Sequence, residues 1–225
     1  MADADSVFPT TPIVRLANCV LRPYHISDLE RMCAAANDPQ VVRYMRDAFP
    51  YPYDREAGLT WLKICKAEGL PDDEKAKEAA PAPSTPMPTP AAPSPDMNVA
   101  VCLLDGTFVG STGLRAMGPD RTDRYTREIG YWIGQAYWGR GLATEIAAGL
   151  GRWALSPASG VLTSDGQPLR RIEAGVCAEN VASAKVLERA GYVREGVRRQ
   201  AVVKNGVMQD VVVYGLVASD LETAQ

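Results

Sequence analysis

The stretch from residue 128 to residue 145 is the strongest candidate for a chemical site. It reads EIGYWIGQAYWGRGLATE, so an apolar, strand-like run leads into a glycine-containing loop that opens a helix. Glycine tolerates a positive φ and lets an anion approach the backbone closely. The first helical turn offers N–H groups without intrahelical partners, at the positive end of the helix dipole. The segment is therefore a candidate phosphate or pyrophosphate site, with Arg140 as a mobile cation at its rim.

Two familiar phosphate-binding patterns do not fit this loop. The Walker pattern ends in Gly-Lys followed by Ser or Thr, and the chain has no such ending. The dinucleotide fingerprint needs a third glycine at position 144, where Thr144 stands. By the residues alone, a tight strand-to-helix turn made by Gly139 and Gly141 remains an equal alternative to an anion site.

Sequence motifs in this loop and elsewhere in the chain indicate a family. Trp138-Gly-Arg-Gly-Leu-Ala143 matches the pattern Gln/Arg-x-x-Gly-x-Gly/Ala except at its first position, and residues 180–192 (NVASAKVLERAGY) are similar to N-x-x-S-x-x-x-x-E-K-x-G-F. Leu21-Arg-Pro23 and Asn37-Asp-Pro39 resemble motifs near the N-terminus of the same family. Over about residues 13–217, the sequence resembles the GNAT superfamily of N-acetyltransferases and, within it, the RimJ/RimL-like branch that acetylates ribosomal-protein N-termini. Trp138 at the first position is usual in that branch.

The resemblance implies one N-acetyltransferase domain over residues 1–225, of the α/β (α+β) class. Its mixed, mostly antiparallel central sheet would be flanked by helices on both faces. Acetyl-CoA, as co-substrate, would lie in a V-shaped split between the strands 127–133 and 171–177. The residues that the resemblance assigns to acetyl-CoA are Trp132 and Ile133 through their backbone, then Trp138, Gly139, Arg140, Gly141, Leu142, Ala143, Thr144 and Asn180.

The implied reaction is direct attack of a neutral amine on the thioester, without a covalent enzyme intermediate. Glu128 is the candidate base, although a carboxylate at a strand end also serves as a salt-bridge partner. Many relatives place a tyrosine acid seven residues after the asparagine, but this chain has Leu187 there. Ser183 is then the candidate acid; packing of Ser183 and unassisted thiolate departure stay open. Asn180 is also a good N-cap for the following helix.

The resemblance favours a protein or peptide N-terminus as the amine acceptor. Tyr44, Tyr51 and Tyr53 lie where the family builds its acceptor site, and aromatic core packing is the alternative for them. Amino acids, polyamines and antibiotics remain open as acceptors, because a fold does not specify a substrate. Two other readings also remain: a non-catalytic acyl-CoA-binding module, and a scaffold that uses residues 81–95 to bind a partner.

The first part of the chain predicts a strand or hairpin, two helices and an insertion. Residues 13–24 alternate loosely, and Ser27 with Glu30 forms a capping-box pattern for a helix that ends near Asn37. Asp54 is expected to cap a second helix through about Ala67. Residues 69–97 are charged and then proline-rich, which predicts a flexible insertion in the domain.

The rest of the chain predicts strands that are at first antiparallel and later alternate with helices. The helix 141–155 should turn Leu142, Ile146, Leu150 and Trp153 inward. The expected elements are a hairpin of 98–104 and 107–115 around Asp105-Gly106, a strand at 127–134, the helix 141–155, a loop at 156–168, a strand at 171–178, a helix at 180–190, and strands at 192–199 and 210–217.

Composition excludes several classes of function. Among 225 residues the net charge is −3, so the basic footprint of a nucleic-acid binder is absent. We expect no membrane span and no signal peptide, hence a cytoplasmic protein; a homodimer is left open. The five cysteines form no CxxC pair and His25 is the only histidine. We therefore expect buried, reduced thiols and no metal site.

Overall fold

The computed structural model describes residues 7–71, 96–117, 122–163 and 165–222. Most of the expected insertion at 69–97 lies outside the described residues. The strands are β1 (Val14–Arg15), β2 (Cys19–Arg22), β3 (Met97–Leu103), β4 (Phe108–Ala116), β5 (Thr126–Ile133), β6 (Arg171–Cys177), β7 (Val193–Lys204) and β8 (Val207–Val217). The helices are α1 (Leu29–Ala36), α2 (Pro39–Val42), α3 (Arg55–Ile64), α4 (Leu142–Leu155), α5 (Val181–Arg189) and α6 (Ala218–Glu222).

The eight strands form one sheet in the order β1-β2-β3-β4-β5-β6-β8-β7. Every neighbouring pair is antiparallel except β5 and β6, which run parallel. A parallel pair needs a crossover connection, and α4 lies in the segment that joins these two strands. The mixed, mostly antiparallel sheet predicted from the sequence is confirmed. We call β1–β5 the first half of the sheet and β6–β8 the second half.

Helices cover both faces of the sheet, and each face has its own buried cluster. On one face, α4 and α5 pack over side chains from both halves, such as Leu150 over the sheet that contains Ile129 and Ile172. On the other face, α1 and α3 pack only over the first half, with Met32 and Leu62 fully buried. Apolar burial of this kind is the main force that holds helices on a sheet. Among the described residues, the cluster under α1 and α3 includes no residue of the second half.

The N-terminus of the first helix differs from the prediction. His25, two residues before Ser27, is the cap: its Nδ1 accepts the Ser27 N–H at 3.1 Å, and the Asp28 carboxylate accepts the His25 N–H at 2.9 Å. A 3-10 turn at Ile26–Asp28 then leads into α1. Asp28 is held there because it also pairs with the buried Arg22. The helix ends beside Asn37, as predicted.

The second helix begins as predicted and ends early. The Asp54 carboxylate accepts the Ala57 N–H at 2.9 Å, which confirms the cap. The helix stops at Ile64 rather than near Ala67, because Lys66 adopts a φ of 52°. The Ala67 N–H then bonds back to the Leu62 carbonyl at 2.9 Å, a common helix ending.

The two hairpins differ in how well the sequence predicted them. The β3–β4 hairpin lies within one or two residues of its expected limits, and its turn places Gly106 at a φ of 84°. The last two strands are longer than expected. They meet in a tight turn with Asn205 and Gly206 at φ values of 52° and 77°, where the sequence analysis ended one strand at residue 199.

Two expectations about burial need correction. Leu142, Ile146 and Leu150 are buried, whereas Trp153 is only half-buried against the same cluster. All five cysteines are free, and Cys19 and Cys102 are fully buried. The three others, Cys33, Cys65 and Cys177, are only partly buried.

Candidate active site

The sheet opens between its two halves. β5 pairs with β6 only through Thr126, Arg127 and Glu128, which lie opposite residues 171–173. Beyond this point β5 continues along β4, while β6 continues along β8 as far as Cys177. The two strands therefore diverge, and the V-shaped split implied by the family resemblance has a structural counterpart. Backbone groups of β5 that point into the split have no β6 partner there, although such groups normally need one.

The register decides which backbone groups face the split. The Gly134 N–H donates to the Val109 carbonyl of the β4 side at 2.9 Å. Because facing direction alternates along a strand, and Trp132 lies opposite Ser111, the Trp132 N–H and C=O also face β4. This corrects the expectation that the Trp132 backbone serves the split. Tyr131 and Ile133 present their backbone groups there instead.

The loop after β5 is held against the strand by Trp138. Its indole N–H donates to the Ile133 carbonyl at 2.6 Å, and 48% of the residue is exposed. The Ile133 N–H remains directed toward the split. Trp138 thus fastens the loop to the end of β5.

The glycines of this loop build an open anion cradle. Gly139 and Gly141 have φ values of 76° and 77°, and in the described part of the chain a Cβ at either position would meet nothing within 4 Å. Gly141 is the N-cap of α4, without a side-chain cap. Among the described residues, no backbone N–H of 139–144 donates a hydrogen bond. Such a group of free donors at the start of a fourteen-residue helix is suited to a phosphate.

Two charged side chains flank the cradle. Arg140 is exposed, lies over the Tyr137 ring at 5.2 Å and donates to the Ala136 carbonyl at 3.2 Å. Glu145 lies in the first turn of α4, where it accepts hydrogen bonds from the backbone and side chain of Asn18 at 2.8 and 2.9 Å. These bonds occupy both carboxylate oxygens and join the β1–β2 turn to the helix. The sequence analysis did not identify this role of Glu145.

On the α4 and α5 face of the split, three polar residues are connected. The Asn180 side chain accepts the Ser183 N–H at 3.1 Å, so the predicted N-cap of α5 is confirmed. The Ser183 hydroxyl lies 2.9 Å from the hydroxyl of Tyr131. Burial raises the pKa of Tyr131 to about 12. Leu187, in the place of the family's tyrosine, is fully buried.

Glu128 lies on the opposite face of β5, the face of α1 and α3. One of its carboxylate oxygens accepts a hydrogen bond from the Arg46 guanidinium at 2.6 Å. The other accepts hydrogen bonds from Arg46 at 2.7 Å and from Arg115 at 2.6 Å. Its side chain is 19% exposed, whereas both arginines are about half exposed. Arg115 is its direct neighbour in the β4–β5 register, a pairing that the strand pattern could have revealed. Arg46 is 82 positions away in sequence and gave no signal.

The chain from residue 43 to residue 53 lies beside this face. Tyr44 is half-buried and donates to the Glu179 carbonyl at 3.3 Å, and Tyr51 is 55% exposed. Tyr53 is 4% exposed and packs against Phe49, which in turn contacts the Trp132 ring edge-on. Tyr53 is thus a core residue in this structure, because Phe49 covers it.

The surface of β5 between Glu128 and Trp132 is open. Gly130 lies between them on the same face, and a Cβ added there would meet no atom of the described residues within 4 Å. The split therefore has two approaches: the cradle lies at one end of β5, and this open strip lies on the face of Glu128. Two approaches are what a reaction between two separate molecules requires.

The described part of the chain has no helix long and apolar enough to cross a membrane. Within the same residues, no group of three His, Cys, Asp or Glu side chains is placed to hold a metal ion.

Comparison with known proteins identifies the family. A model of the acetyltransferase (GNAT) domain matches residues 18–193, which is most of the chain. This chain belongs to that family. The GNAT domain described here is 36% identical over 97 residues to "Probable N-acetyltransferase YjcK" of Bacillus subtilis (strain 168), a match that covers 43% of this chain and 49% of that protein. The chain spans about half the length of the curated relatives it matches.

Solved structures share the fold at low sequence identity. RimL, a ribosomal alpha-N-protein acetyltransferase in complex with coenzyme A, has a TM-score of 0.64 and 16% identity, with 89% of this chain and 94% of that chain covered. Spermidine N-acetyltransferase from Vibrio cholerae, in complex with CoA and spermine, has a TM-score of 0.60 and 18% identity, with 90% and 96% covered. The names of these two proteins specify different amines, a ribosomal protein N-terminus and spermidine, so the shared fold leaves the acceptor of this chain undetermined.

Proposed function

We propose that this GNAT domain is an acetyl-CoA-dependent N-acetyltransferase that transfers an acetyl group to a primary amine in a ternary complex. The observation that carries this proposal is the combination of free N–H donors at 139–144 with a split of unpaired β5 backbone beside them. A pyrophosphate needs the former and an extended pantetheine arm needs the latter. A structural strand-to-helix turn would need neither the open space nor the divergence of β5 and β6.

The chain offers matched groups along the length of acetyl-CoA. The N–H groups of 139–144 would hold the pyrophosphate, with Arg140 at the rim. The Tyr131 backbone and the Ile133 N–H would pair with the pantetheine arm in place of a strand, and Asn180 would contact it from α5. A β5 N–H that faces the split would polarise the thioester carbonyl and stabilise the oxyanion that forms on it.

The amine would reach the thioester from the face of Glu128. An ammonium ion must lose a proton before it attacks, and Glu128 would accept that proton directly or through a water molecule. In the structure its oxygens are engaged by Arg46 and Arg115. The acceptor would therefore displace at least one guanidinium contact, and the exposed Arg46 is the partner that can move away.

The favoured acceptor is a protein or peptide N-terminus. Support comes from the RimJ/RimL-like motifs at 138–143 and 180–192 and from the open strip at Gly130, where an added Cβ would meet no described atom within 4 Å. In this complex Tyr44 and Tyr51 would line the path of the peptide. A small amine is the alternative acceptor, and a module that binds acyl-CoA without turnover is the alternative function.

Calorimetric titration with acetyl-CoA tests whether the protein binds this co-substrate. NAD and ATP, titrated separately, are the control ligands. Gly141→Asp puts a side chain and a negative charge where the pyrophosphate would lie, so we expect no measurable binding. Gly160→Asp is the matched control, because Gly160 also has a positive φ, 66°, and open space around it. Equal loss in both variants, or no binding by wild type, would refute the proposed site.

A second variant tests the approach of the amine. Gly130→Leu fills the open strip without a strained φ, so acceptor KM should rise while the affinity for acetyl-CoA stays unchanged. Gly196→Leu on β7, also in open space, is the control. Release of CoA thiol should be measured with N-terminal peptides, amino acids and polyamines. Binding of acetyl-CoA without turnover on any of these acceptors would favour the non-catalytic module.

A further inference from the structure

Tyr131 occupies an unusual position in the candidate site. Its backbone faces the split, and its side chain lies on the face of α4 and α5 with those of Ile129 and Ile133. Its hydroxyl reaches the first turn of α5, 52 positions later in sequence, at 2.9 Å from the Ser183 hydroxyl. The bond therefore connects the two elements that border the split.

The second element is fixed independently. Asn180 caps α5 by accepting the Ser183 N–H, and its own N–H donates to the Cys177 carbonyl at 2.8 Å. These bonds set the position of Ser183 relative to the end of β6. Within the described residues, the Ser183 hydroxyl has no polar side-chain partner other than Tyr131.

A serine hydroxyl has one hydrogen to give and can accept from other donors. If Tyr131 donates to the Ser183 oxygen, the serine hydrogen is free to point into the split. In the reverse direction that hydrogen is used on Tyr131, and the phenol has only the distant Ser183 carbonyl, at 3.4 Å. The 2.9 Å distance between the two oxygens is the same in either direction, so the phenol hydrogen decides between them. The first arrangement is favoured because it gives that hydrogen an acceptor at an ordinary distance, whereas 3.4 Å is longer than a normal O–H···O bond. The buried phenol also keeps its proton at neutral pH, since burial raises its pKa to about 12.

We infer that Tyr131 is a positioning residue that turns the Ser183 hydroxyl toward the sulfur atom of the departing CoA. This inference rests on the proposed acetyl transfer. When the tetrahedral intermediate collapses, the C=O bond re-forms, the C–S bond breaks with its electron pair going to sulfur, and the nitrogen releases its extra proton to water. The Ser183 O–H donates a hydrogen bond to that thiolate, which takes a proton from water after release. Tyr131 holds the serine oxygen and neither loses nor gains a proton.

This arrangement explains how the chain manages with Leu187 in the family's tyrosine position. A phenol is still present at the split, but it comes from β5 and acts through a serine. The Leu187 side chain is left to fill the core under α5, where it is fully buried.

Tyr131→Phe tests the inference, because the variant keeps the ring and removes only the hydroxyl. We expect kcat with acetyl-CoA to fall about tenfold, the effect of one hydrogen bond, while KM for acetyl-CoA changes less than about twofold. With the acetyl selenoester of CoA, whose selenol leaves more readily than a thiol, the same variant should lose less than about twofold. Ser183→Ala should show the same dependence on the leaving group, and adding Tyr131→Phe to it should cause no further loss.

Tyr192→Phe is the control, since it removes another buried hydroxyl on this face, one that donates to the Ala147 carbonyl at 3.2 Å. We expect any loss of kcat in Tyr192→Phe to be equal with the thioester and with the selenoester. Equal losses of kcat with the thioester and the selenoester in Tyr131→Phe, or losses that add to those of Ser183→Ala, would overturn this inference and leave the proposed function standing. Wild-type protein that binds acetyl-CoA but turns over no acceptor would overturn the proposed function and this inference with it.

Discussion

The first five strands and the last three strands differ in how completely their backbone and faces are covered. In the first half, the first seven residues of β4 are all buried, because α1 and α3 cover one face and α4 the other. In the second half, none of the twelve residues of β7 is buried. The two halves share only three residue pairs between β5 and β6.

This difference shows how the fold combines stability with an open site. The first half can satisfy its backbone groups and bury its apolar side chains without a ligand. The border between the halves leaves β5 donors and acceptors unpaired, which is unfavourable unless another molecule supplies the missing bonds. A site at the border therefore does not disturb the ladders of either half.

The border offers two glutamates for a direct contrast, Glu128 on β5 and Glu173 opposite it on β6. We expect Glu128→Gln to lower kcat about a hundredfold or more, because an amide cannot accept the proton of the amine. Acetyl-CoA affinity, measured by calorimetry, should be unchanged. Glu173, which pairs with Arg171, is the matched control, and Glu173→Gln should retain most activity. Comparable losses in both variants would mean that the ion pairs, rather than proton transfer, are what matters.

A substitution that creates a cavity between α4 and the sheet tests whether the two halves unfold together. Leu150 is fully buried in the cluster that touches both halves, so Leu150→Ala should lower the free energy of unfolding by about 2–5 kcal/mol. Leu104→Ala, at a half-exposed leucine of the β3–β4 turn, should cost less than about 0.5 kcal/mol. Urea unfolding followed by fluorescence and circular dichroism should show a single transition. Two transitions in Leu150→Ala would show that the halves are independent folding units.

Buried thiols should make the first half sensitive to alkaline pH. Burial raises the pKa of Cys19 and of Cys102 from 9.0 to about 12. Between these values the unfolded chain releases the thiol protons and the folded protein retains them, so stability falls as pH rises. From pH 8 to pH 10 the loss should approach roughly 1.4 kcal/mol per thiol. Urea unfolding midpoints at pH 8 and pH 10, measured for wild type and for Cys102→Ala, check this. If the fall in the midpoint between the two pH values is as large in the variant as in wild type, the prediction is contradicted.

The cap of α5 should have a smaller effect on stability. Asn180→Ala removes the bond to the Ser183 N–H and should cost about 1 kcal/mol, measured by thermal unfolding. Asn180→Ser restores a capping oxygen, so it should recover most of the stability. If Asn180 also contacts the pantetheine arm, acetyl-CoA affinity should remain weakened in the serine variant. Recovery of both properties would leave Asn180 with the capping role alone.

Much of the fold could be predicted because its signals are local. The Asp54 and Asn180 caps, the β3–β4 turn at Asp105-Gly106 and the glycine loop each depend on residues within a few positions of one another. The first cap of α1 was missed because Asp28 is held by Arg22 from β2, a contact between separate elements. The length of the β7–β8 hairpin was missed because polar residues interrupt its alternation near Gln200, where the strand has an irregular register.

The sequence by itself determined the family, the glycine loop and the helix that begins after it, because glycine permits the left-handed backbone that Gly139 and Gly141 adopt. Only the tertiary structure decided where β5 leaves β6, that Trp132 turns its backbone to β4, and that Glu128 meets Arg46. It also decided that Tyr131 reaches Ser183. The physical reason is that these contacts depend on strand register and packing between segments many residues apart. Local spacing carries no information about them.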